Sequence, residues 1–370
     1  MKAEVRLEKL KGAVALTERA AGKHSTLPVL SCILIDAKKN SLTLRATNLD
    51  IGIEVDIPSK SDGEASFAVP AHTLSSFLSQ AGDKDQIATL ESSNGNLSIS
   101  LSRSRGVLKT MPFEDFPAIP TVAEGKSYSI APEVFIRGLK AVWYSASVSS
   151  VKPELSSIYV YRDADEIVFA ATDSFRLAEK RLPLPKNTPF DDVLIPFKNS
   201  VDIARALETV SGEVSVKAAK NLISFESEGT KITSRVIDGV FPDYKQIIPK
   251  GYVTEAIVLK QDLMNALKVS SVFSDAFNQV KMTIDPEKKS FEVMTKNSDI
   301  GENLTGVDAS LSGEAIEVNF NCKYITDCFQ SIDADSLSLQ LNGKNRPLVI
   351  RPVSGSGDRM FMYIVMPMNR

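Results

Sequence analysis

The side chains able to do chemistry are few and scattered. His24 and His72 are the two histidines, and neither stands in a His-Glu-x-x-His pattern that could hold a catalytic zinc. Cys32, Cys322 and Cys328 lack the paired Cys-x-x-Cys spacing of a structural zinc site. Gly355-Ser356-Gly357 has the composition of a phosphate-cradling loop. No Gly-x-x-x-x-Gly-Lys-Ser/Thr run and no dinucleotide-binding context accompanies it, so a surface turn is expected. The carboxylate pairs Asp163/Asp165 and Asp333/Asp335 fall in predicted turns, where aspartate serves the backbone. Catalysis has no constellation to act through. No enzymatic activity, metal or cofactor is expected.

What the chain does carry is a period of about 125 residues. Thr47-Asn48-Leu49-Asp50, Thr172-Asp173-Ser174-Phe175 and, more loosely, Thr295-Lys296-Asn297-Ser298 each interrupt a β-rich run. Pro70-Ala71-His72-Thr73, Pro196-Phe197-Lys198-Asn199 and Asn321-Cys322-Lys323-Tyr324 each open a helical pattern. Leu97, Leu222 and Leu348 fall in the strand after each of those helices. Three marks with one period imply three tandem modules, placed at 1–123, 124–250 and 251–370. Such an array more often assembles other molecules than encloses one catalytic pocket.

Composition bounds the partners. Hydrophobic content of 43% and charged content of 24% suit ordinary globular modules, each with its own core. No apolar run approaches the roughly 20 residues of a spanning helix, and the charged start Met1-Lys2-Ala3-Glu4-Val5-Arg6 is unlike a secretory leader. Three unpaired cysteines suit a reducing cytoplasm. Lysine and arginine number 43 against 46 acidic residues, a net charge of −3. That balance is not the basic one of an ordinary nucleic-acid binder, although it permits one basic face.

Periodicity places the elements. Glu4 to Ala21 reads as a helix with Leu7, Leu10, Val14 and Leu16 on one face. A hairpin at Cys32–Asp36 and Ser41–Ala46 and a strand at Ile51–Ile57 follow, and Leu74, Phe77 and Leu78 mark the second helix. Helices at Ala131–Ser147 and Lys198–Val210, then Lys260–Val272 and Cys322–Ile332, repeat the plan. The result is an α+β fold with two helices on antiparallel sheets in each module, itself a doubled β-rich unit. Outward positions carry Lys9, Lys11, Arg19, His72, Arg137, Lys140, Lys198, Arg205, Lys260, Lys268 and Lys323, with acids interleaved. Solvated helix faces explain these as readily as one polyanion-facing surface does.

Several motifs stand in a specific order: Thr26-Leu27-Pro28-Val29-Leu30, Ala46-Thr47-Asn48-Leu49-Asp50-Ile51, Asp115-Phe116-Pro117, Ala171–Ala178, Ile237–Tyr244 and Val365-Met366-Pro367-Met368. With the threefold repeat, the whole chain resembles the bacterial DNA polymerase III beta subunits, the sliding clamps. The resemblance implies a head-to-tail homodimeric ring of six similar modules, with helices lining a hole through which duplex DNA passes. It implies a non-catalytic tether for the replicative polymerase, opened and closed by an ATP-dependent loader. Partners would be double-stranded DNA, the polymerase alpha subunit, the loader delta subunit, and other polymerases and repair proteins. No membrane partner is expected.

The family's sites carry over residue by residue. The resemblance implies a peptide-accepting apolar cleft at Leu155, Thr172, Phe175, Arg176, Leu177, Pro242, Ile247, Pro347, Ile364, Val365, Met366, Pro367 and Met368. DNA contact falls on Lys23, His24, Ser149 and Lys152, with Arg137, Lys198 and Arg205 from the helices. Ring closure falls on Val107 and Leu108 against Val272 and Phe273 of a second copy. Two departures stand out: Ser174-Phe175 where relatives often place a histidine before Arg-Leu, and a tail ending Met368-Asn369-Arg370. Apart from the resemblance, a peptide-binding scaffold that never encircles DNA, and a nuclease with dispersed carboxylates, are the competing readings.

Overall fold

The computed structural model describes residues 1–22, 27–80, 82, 86–122, 127–186, 188–353 and 360–368. Among them one pattern recurs six times: a strand, a helix, then three strands. The first copy is β1 (Lys2–Arg6), α1 (Leu7–Thr17), β2 (Cys32–Lys38), β3 (Ser41–Thr47) and β4 (Ile51–Ser61). The second is β5 (Ala65–Pro70), α2 (Ala71–Gln80), β6 (Ile87–Ser93), β7 (Asn96–Ser100) and β8 (Arg105–Leu108). The third is β9 (Ser127–Ile130), α3 (Pro132–Val142), β10 (Ser157–Asp163), β11 (Glu166–Thr172) and β12 (Arg176–Pro183). The fourth is β13 (Val193–Pro196), α4 (Phe197–Leu207), β14 (Val214–Ala219), β15 (Leu222–Ser227) and β16 (Thr230–Arg235). The fifth is β17 (Thr254–Leu259), α5 (Lys260–Val272), β18 (Gln279–Asp285), β19 (Ser290–Asn297) and β20 (Gly301–Gly306). One extra strand, β21 (Ala309–Gly313), precedes the sixth: β22 (Ile316–Asn321), α6 (Cys322–Asp327), β23 (Ser336–Leu341), β24 (Leu348–Pro352) and β25 (Phe361–Val365). The sequence period thus spans two copies.

Local physics explains where the elements depart from expectation. Residues 4–6 are strand, not helix: Ala3 and Val5 are buried while their neighbours are exposed, a two-residue alternation. The helix begins only at Leu7. The third helix is shorter than expected, starting at Pro132, where a missing N–H costs nothing, and ending at Val142 in a 3-10 turn. Before it lies the unforeseen strand β9, too short for periodicity to reveal. The sixth helix likewise tightens to a 3-10 turn after Asp327. All three cysteines are free and buried. Burial raises the Cys322 thiol to about 11, so it stays protonated.

The Thr47 and Thr172 repeats are one turn built twice. Thr47 Oγ1 donates to Ile51 O and accepts from Leu49 N, while Asn48 Oδ1 accepts from Asp50 N and Ile51 N. Thr172 and Asp173 make the same four bonds around Phe175 and Arg176. Leu49 and Ser174 occupy left-handed backbone at φ 78° and 79°. Side-chain bonding to the backbone offsets the cost of that conformation.

The chain divides into two compact units: Met1–Ile136 with Pro189–Val193 and Lys198–Val236, and Arg137–Thr188 with Leu194–Phe197 and Ile237–Arg370. The first unit holds one 12-stranded sheet whose main path runs β8-β7-β6-β1-β4-β16-β15-β14-β9. The helix α1 packs on β4 and α2 there. The second unit holds a nine-stranded sheet, β13-β10-β11-β12-β25-β24-β23-β17-β21, and a four-stranded sheet, β20-β19-β18-β22. In that unit α5 packs on β19, β20 and α6. Within each unit, sheets join across copies by the same rule. The third strand after the helix in copy one (β4) pairs antiparallel with that in copy four (β16), and the third strand after the helix in copy three (β12) pairs with that in copy six (β25). The remaining third strands, β8 and β20, lie at sheet ends.

Helices sit close to these sheets where side chains are small. A Cβ on Gly138 of α3 would stand 2.2 Å from the ring of Phe169, a fully buried strand residue. Gly138→Ala should therefore overpack the second unit and lower its stability by about 1–3 kcal/mol, read from its denaturant midpoint. An unchanged midpoint would show that the ring yields without strain.

Candidate functional site

The cleft candidates all belong to the second unit, and strand register brings most of them together. Arg176 and Leu177 on β12 face Val365 and Ile364 on β25, and those face Leu348 and Val349 on β24. Met366 N donates to Phe175 O at 2.8 Å, tying the chain end to the Thr172 turn. Leu177, Ile364 and Val365 are at most 1% exposed, so they form a floor and offer no surface. Around Leu177 and Ile364 cluster Tyr161, Leu194, Phe241, Tyr244, Val349 and Met362. Pro242 and Ile247 are exposed beside this cluster, while Pro347, Thr172 and Leu155 are buried.

Phe175, Met366, Pro367 and Met368 line one apolar pocket of about 470 Å³. Its remaining wall is Ala276, Phe277, Asn278, Asn321 and Tyr324, which sequence reasoning did not assign to the site. One signal was present: Asp275-Ala276-Phe277-Asn278 reads as a turn, and a phenylalanine there is out of place unless it meets something. Asp275 Oδ1 accepts from Phe277 N and Gln279 N, and Asn321 Nδ2 donates to Phe277 O. Asn321 also caps α6 through Tyr324 N. Phe175 is 61% exposed and Phe277 51%. Exposed rings on bonded turns are held ready for contact without an ordering cost.

Arg176 fixes this arrangement from below. Its guanidinium bonds Asp173 Oδ2 at 2.9 Å and Asp327 Oδ2 at 2.6 Å, and lies 4.5 Å from the Tyr324 ring centroid. The Phe175 turn is thereby tied to α6. Burial, then the charge of Asp173, pushes the Tyr324 phenol up, so it remains a neutral donor near neutral pH.

Comparisons with known proteins agree along the whole chain. The DNA polymerase III beta subunit N-terminal, central and C-terminal domain families match residues 1–120, 129–243 and 245–369. The chain belongs to the DNA polymerase III beta subunit family. Curated relatives include the beta sliding clamp of Synechococcus elongatus, 26% identical over 374 residues with 99% of each chain covered, and that of Caulobacter vibrioides, 26% identical over 383 residues with 100% of each covered. Among solved structures, the beta subunit of Thermotoga maritima superposes with a TM-score of 0.93 at 24% identity, covering 100% of this chain and 99% of that one. The Bacillus subtilis sliding clamp gives 0.91 at 22%, with the same coverage.

This beta subunit places its other candidates as follows. Arg137, Lys198, Arg205, Ser149 and Lys152 are exposed; Lys23 and His24 lie outside the described residues. In the loop carrying Ser149 and Lys152, the most prominent side chains are Val148 and Val151, 96% and 86% exposed. Several of the outward bases are engaged: Lys260 Nζ donates to Ile332 O at 2.7 Å, closing the turn after α6, Lys11 Nζ donates to Gly82 O at 3.5 Å, and His72 lies 3.5 Å from Glu18. Lys260 is thus not a free cation on an outward face. At the closure candidates, Val107 and Val272 are 58% and 65% exposed and Phe273 is half-buried, but Leu108 is only 6% exposed and packs inward from β8. A charge at 108 would strike the core as well as any interface. Among the described residues, no group of three or more His, Cys, Asp or Glu could hold a metal, and no helix is long and apolar enough to cross a membrane.

Arg176→Met leaves Asp173 and Asp327 without their cation in a largely enclosed spot. It is expected to cost the second unit about 2–3 kcal/mol and to speed hydrogen exchange at the Phe175 amide, which bonds Asp173. Unaltered exchange there would mean that the turn does not depend on the arginine.

Proposed function

We infer that this chain is a DNA sliding clamp of the replication machinery, and that two copies close head to tail into a ring around duplex DNA. The observation that carries closure is the third-strand rule. Copies one and four, and three and six, join through third strands, which leaves β8 of copy two and β20 of copy five as the unmatched pair. Two chains satisfy both edges reciprocally, β8 of each against β20 of the other. The charges support the match. Arg103, Arg105 and Lys109 are exposed on and beside β8, and Asp299 and Glu302 are exposed beside and on β20. Val269, Val272, Ile300 and Leu304 add exposed apolar surface near β20.

In this reading the ring has six two-helix-faced modules, three per chain at 1–123, 124–250 and 251–370, with helices toward the hole. A topological link needs no tight grip, so sparse bases such as Arg137, Lys198 and Arg205, diluted by acids, suit DNA that must slide. Lys23, His24, Ser149 and Lys152 are the loop contacts. The apolar cleft of the second unit takes short peptides from the replicative polymerase alpha subunit, the loader delta subunit and repair proteins, one at a time. Methionines suit such shared use, because a flexible thioether adapts to different anchors. Phe175 makes this cleft more apolar than a histidine would. The clamp itself catalyses nothing; a loader supplies the ATP-driven opening, in the cytoplasm.

Two measurements decide the matter. Clamps loaded on nicked circular DNA should stay bound through a high-salt wash and leave once the circle is linearised. Loss from intact circles in salt alone would sink the topological account. Val107→Asp sets a carboxylate against the acidic β20 while sparing the core, and sedimentation should show at least a tenfold weaker dimer. A dimer as stable as the parent would refute β8 as the closing edge.

A further inference from the structure

We infer that a polar notch beside the cleft binds an oxyanion, and that its natural occupant is a carboxylate on a partner peptide running past the apolar anchors. The inference deepens the cleft reading and rests on it.

The notch is a cavity of about 160 Å³, the right size for a carboxylate or phosphate, lined by Pro249, Lys250, Tyr252, Gln340, Asn342 and Arg351. Its polar lining offers donors from an ammonium, a guanidinium and two amides, while the Tyr252 hydroxyl proton is directed at Glu255. Val349, 3% exposed, also lines it, and the same side chain packs with Leu177 and Ile364 under the cleft. Among the described residues, no carboxylate lies within 4.0 Å of Lys250 or Arg351. Arg351 instead bonds the Met362 thioether, Nη2 to Sδ at 3.1 Å, which steadies the guanidinium without neutralising it.

Glu255 is hydrogen-bonded to this lining. Its Oε1 accepts from Ser338 Oγ at 2.5 Å and Gln340 Nε2 at 3.2 Å, and its Oε2 accepts from the Tyr252 hydroxyl at 3.3 Å. Glu255 keeps its negative charge, so the notch offers an incoming anion two cations, Lys250 and Arg351, against one acid.

Chain continuity identifies the source of the anion. Pro249 follows Ile247 by two residues, and Val349 follows Pro347 by two. The Ile247–Pro249 segment therefore carries the surface from cleft to notch within about 7 Å, while Pro347 and Val349 are buried. A peptide seated on Ile247 reaches the notch with two or three further extended residues, at about 3.3 Å each. Free phosphate shares the chemistry but has no need of the cleft.

The test is fluorescence anisotropy with a short peptide bearing leucine and phenylalanine anchors, extended at either end by Glu-Glu or by Gln-Gln. One Glu-Glu form should bind about fivefold tighter than its Gln-Gln twin at low salt, a modest gain because the notch is partly open. The Lys250→Gln/Arg351→Gln double variant should abolish that gain and leave the Gln-Gln affinity unchanged, which also reports an intact fold. Millimolar inorganic phosphate should erase the same increment. Equal affinities for both extensions, with anchor binding intact, overturn the notch assignment and leave the cleft standing. Phosphate bound by nuclear magnetic resonance without any Glu-Glu advantage assigns the site to a free anion and overturns the peptide source. Anchor binding that is absent, or indifferent to Met366→Ala, overturns the cleft reading itself.

Discussion

Antiparallel pairing between third strands of different copies is the interaction on which this molecule depends. Each βαβββ copy is too small to bury both faces and both edges by itself. Joining β4 to β16 and β12 to β25 turns separate copies into long sheets, and the backbone groups of those edges find partners. The unit of sequence repetition is therefore not the unit of packing. Sequence repeats in threes, copies number six, and compact bodies number two because sheets run through the repeat boundaries. The edges left over, β8 and β20, carry opposite charge, which suits reciprocal closure and discourages indiscriminate aggregation.

The candidate cleft grows from one of these joins. Where β12 meets β25, the Thr172 turn and the chain end lie side by side, and Arg176 ties both to α6 through Asp327. The equivalent turn at Thr47 has the same hydrogen bonds and the same left-handed residue. It places Asn48 and Leu49 where the later turn places Asp173 and Ser174. One backbone device thus serves structure in one copy and presents Phe175 in another. Differentiation came from the side chains around the turn, not from the turn.

Under the proposed ring closure, the mild overall charge suits holding DNA by enclosure. Strong phosphate pairing would trade mobility for affinity, and sliding depends on contacts that are weak and easily exchanged. The candidate cleft is built differently, from exposed aromatic rings on hydrogen-bonded turns and from methionines able to adapt.

The sequence by itself determined the repeat, most of the elements and the family. Its hairpins, the Pro-to-helix starts and α5 at Lys260–Val272 were legible because alternation and helical spacing are local properties. It also contained the Val365–Met368 and Thr172–Leu177 motifs, although nothing local said that they touch. Only the tertiary structure decided which of those residues form floor and which form surface, since Leu177 and Phe175 differ by two positions yet one is buried and the other exposed. Only it could add Phe277 and Tyr324 to the pocket wall, turn Leu108 inward, and bond Lys260 to a carbonyl. Strand β1 was misread as helix because its burial comes from β4 and β6, about 55 and 85 residues away in the chain. Propensity and period act over a few residues, whereas burial, edge pairing and pocket walls are fixed by neighbours that sequence distance conceals.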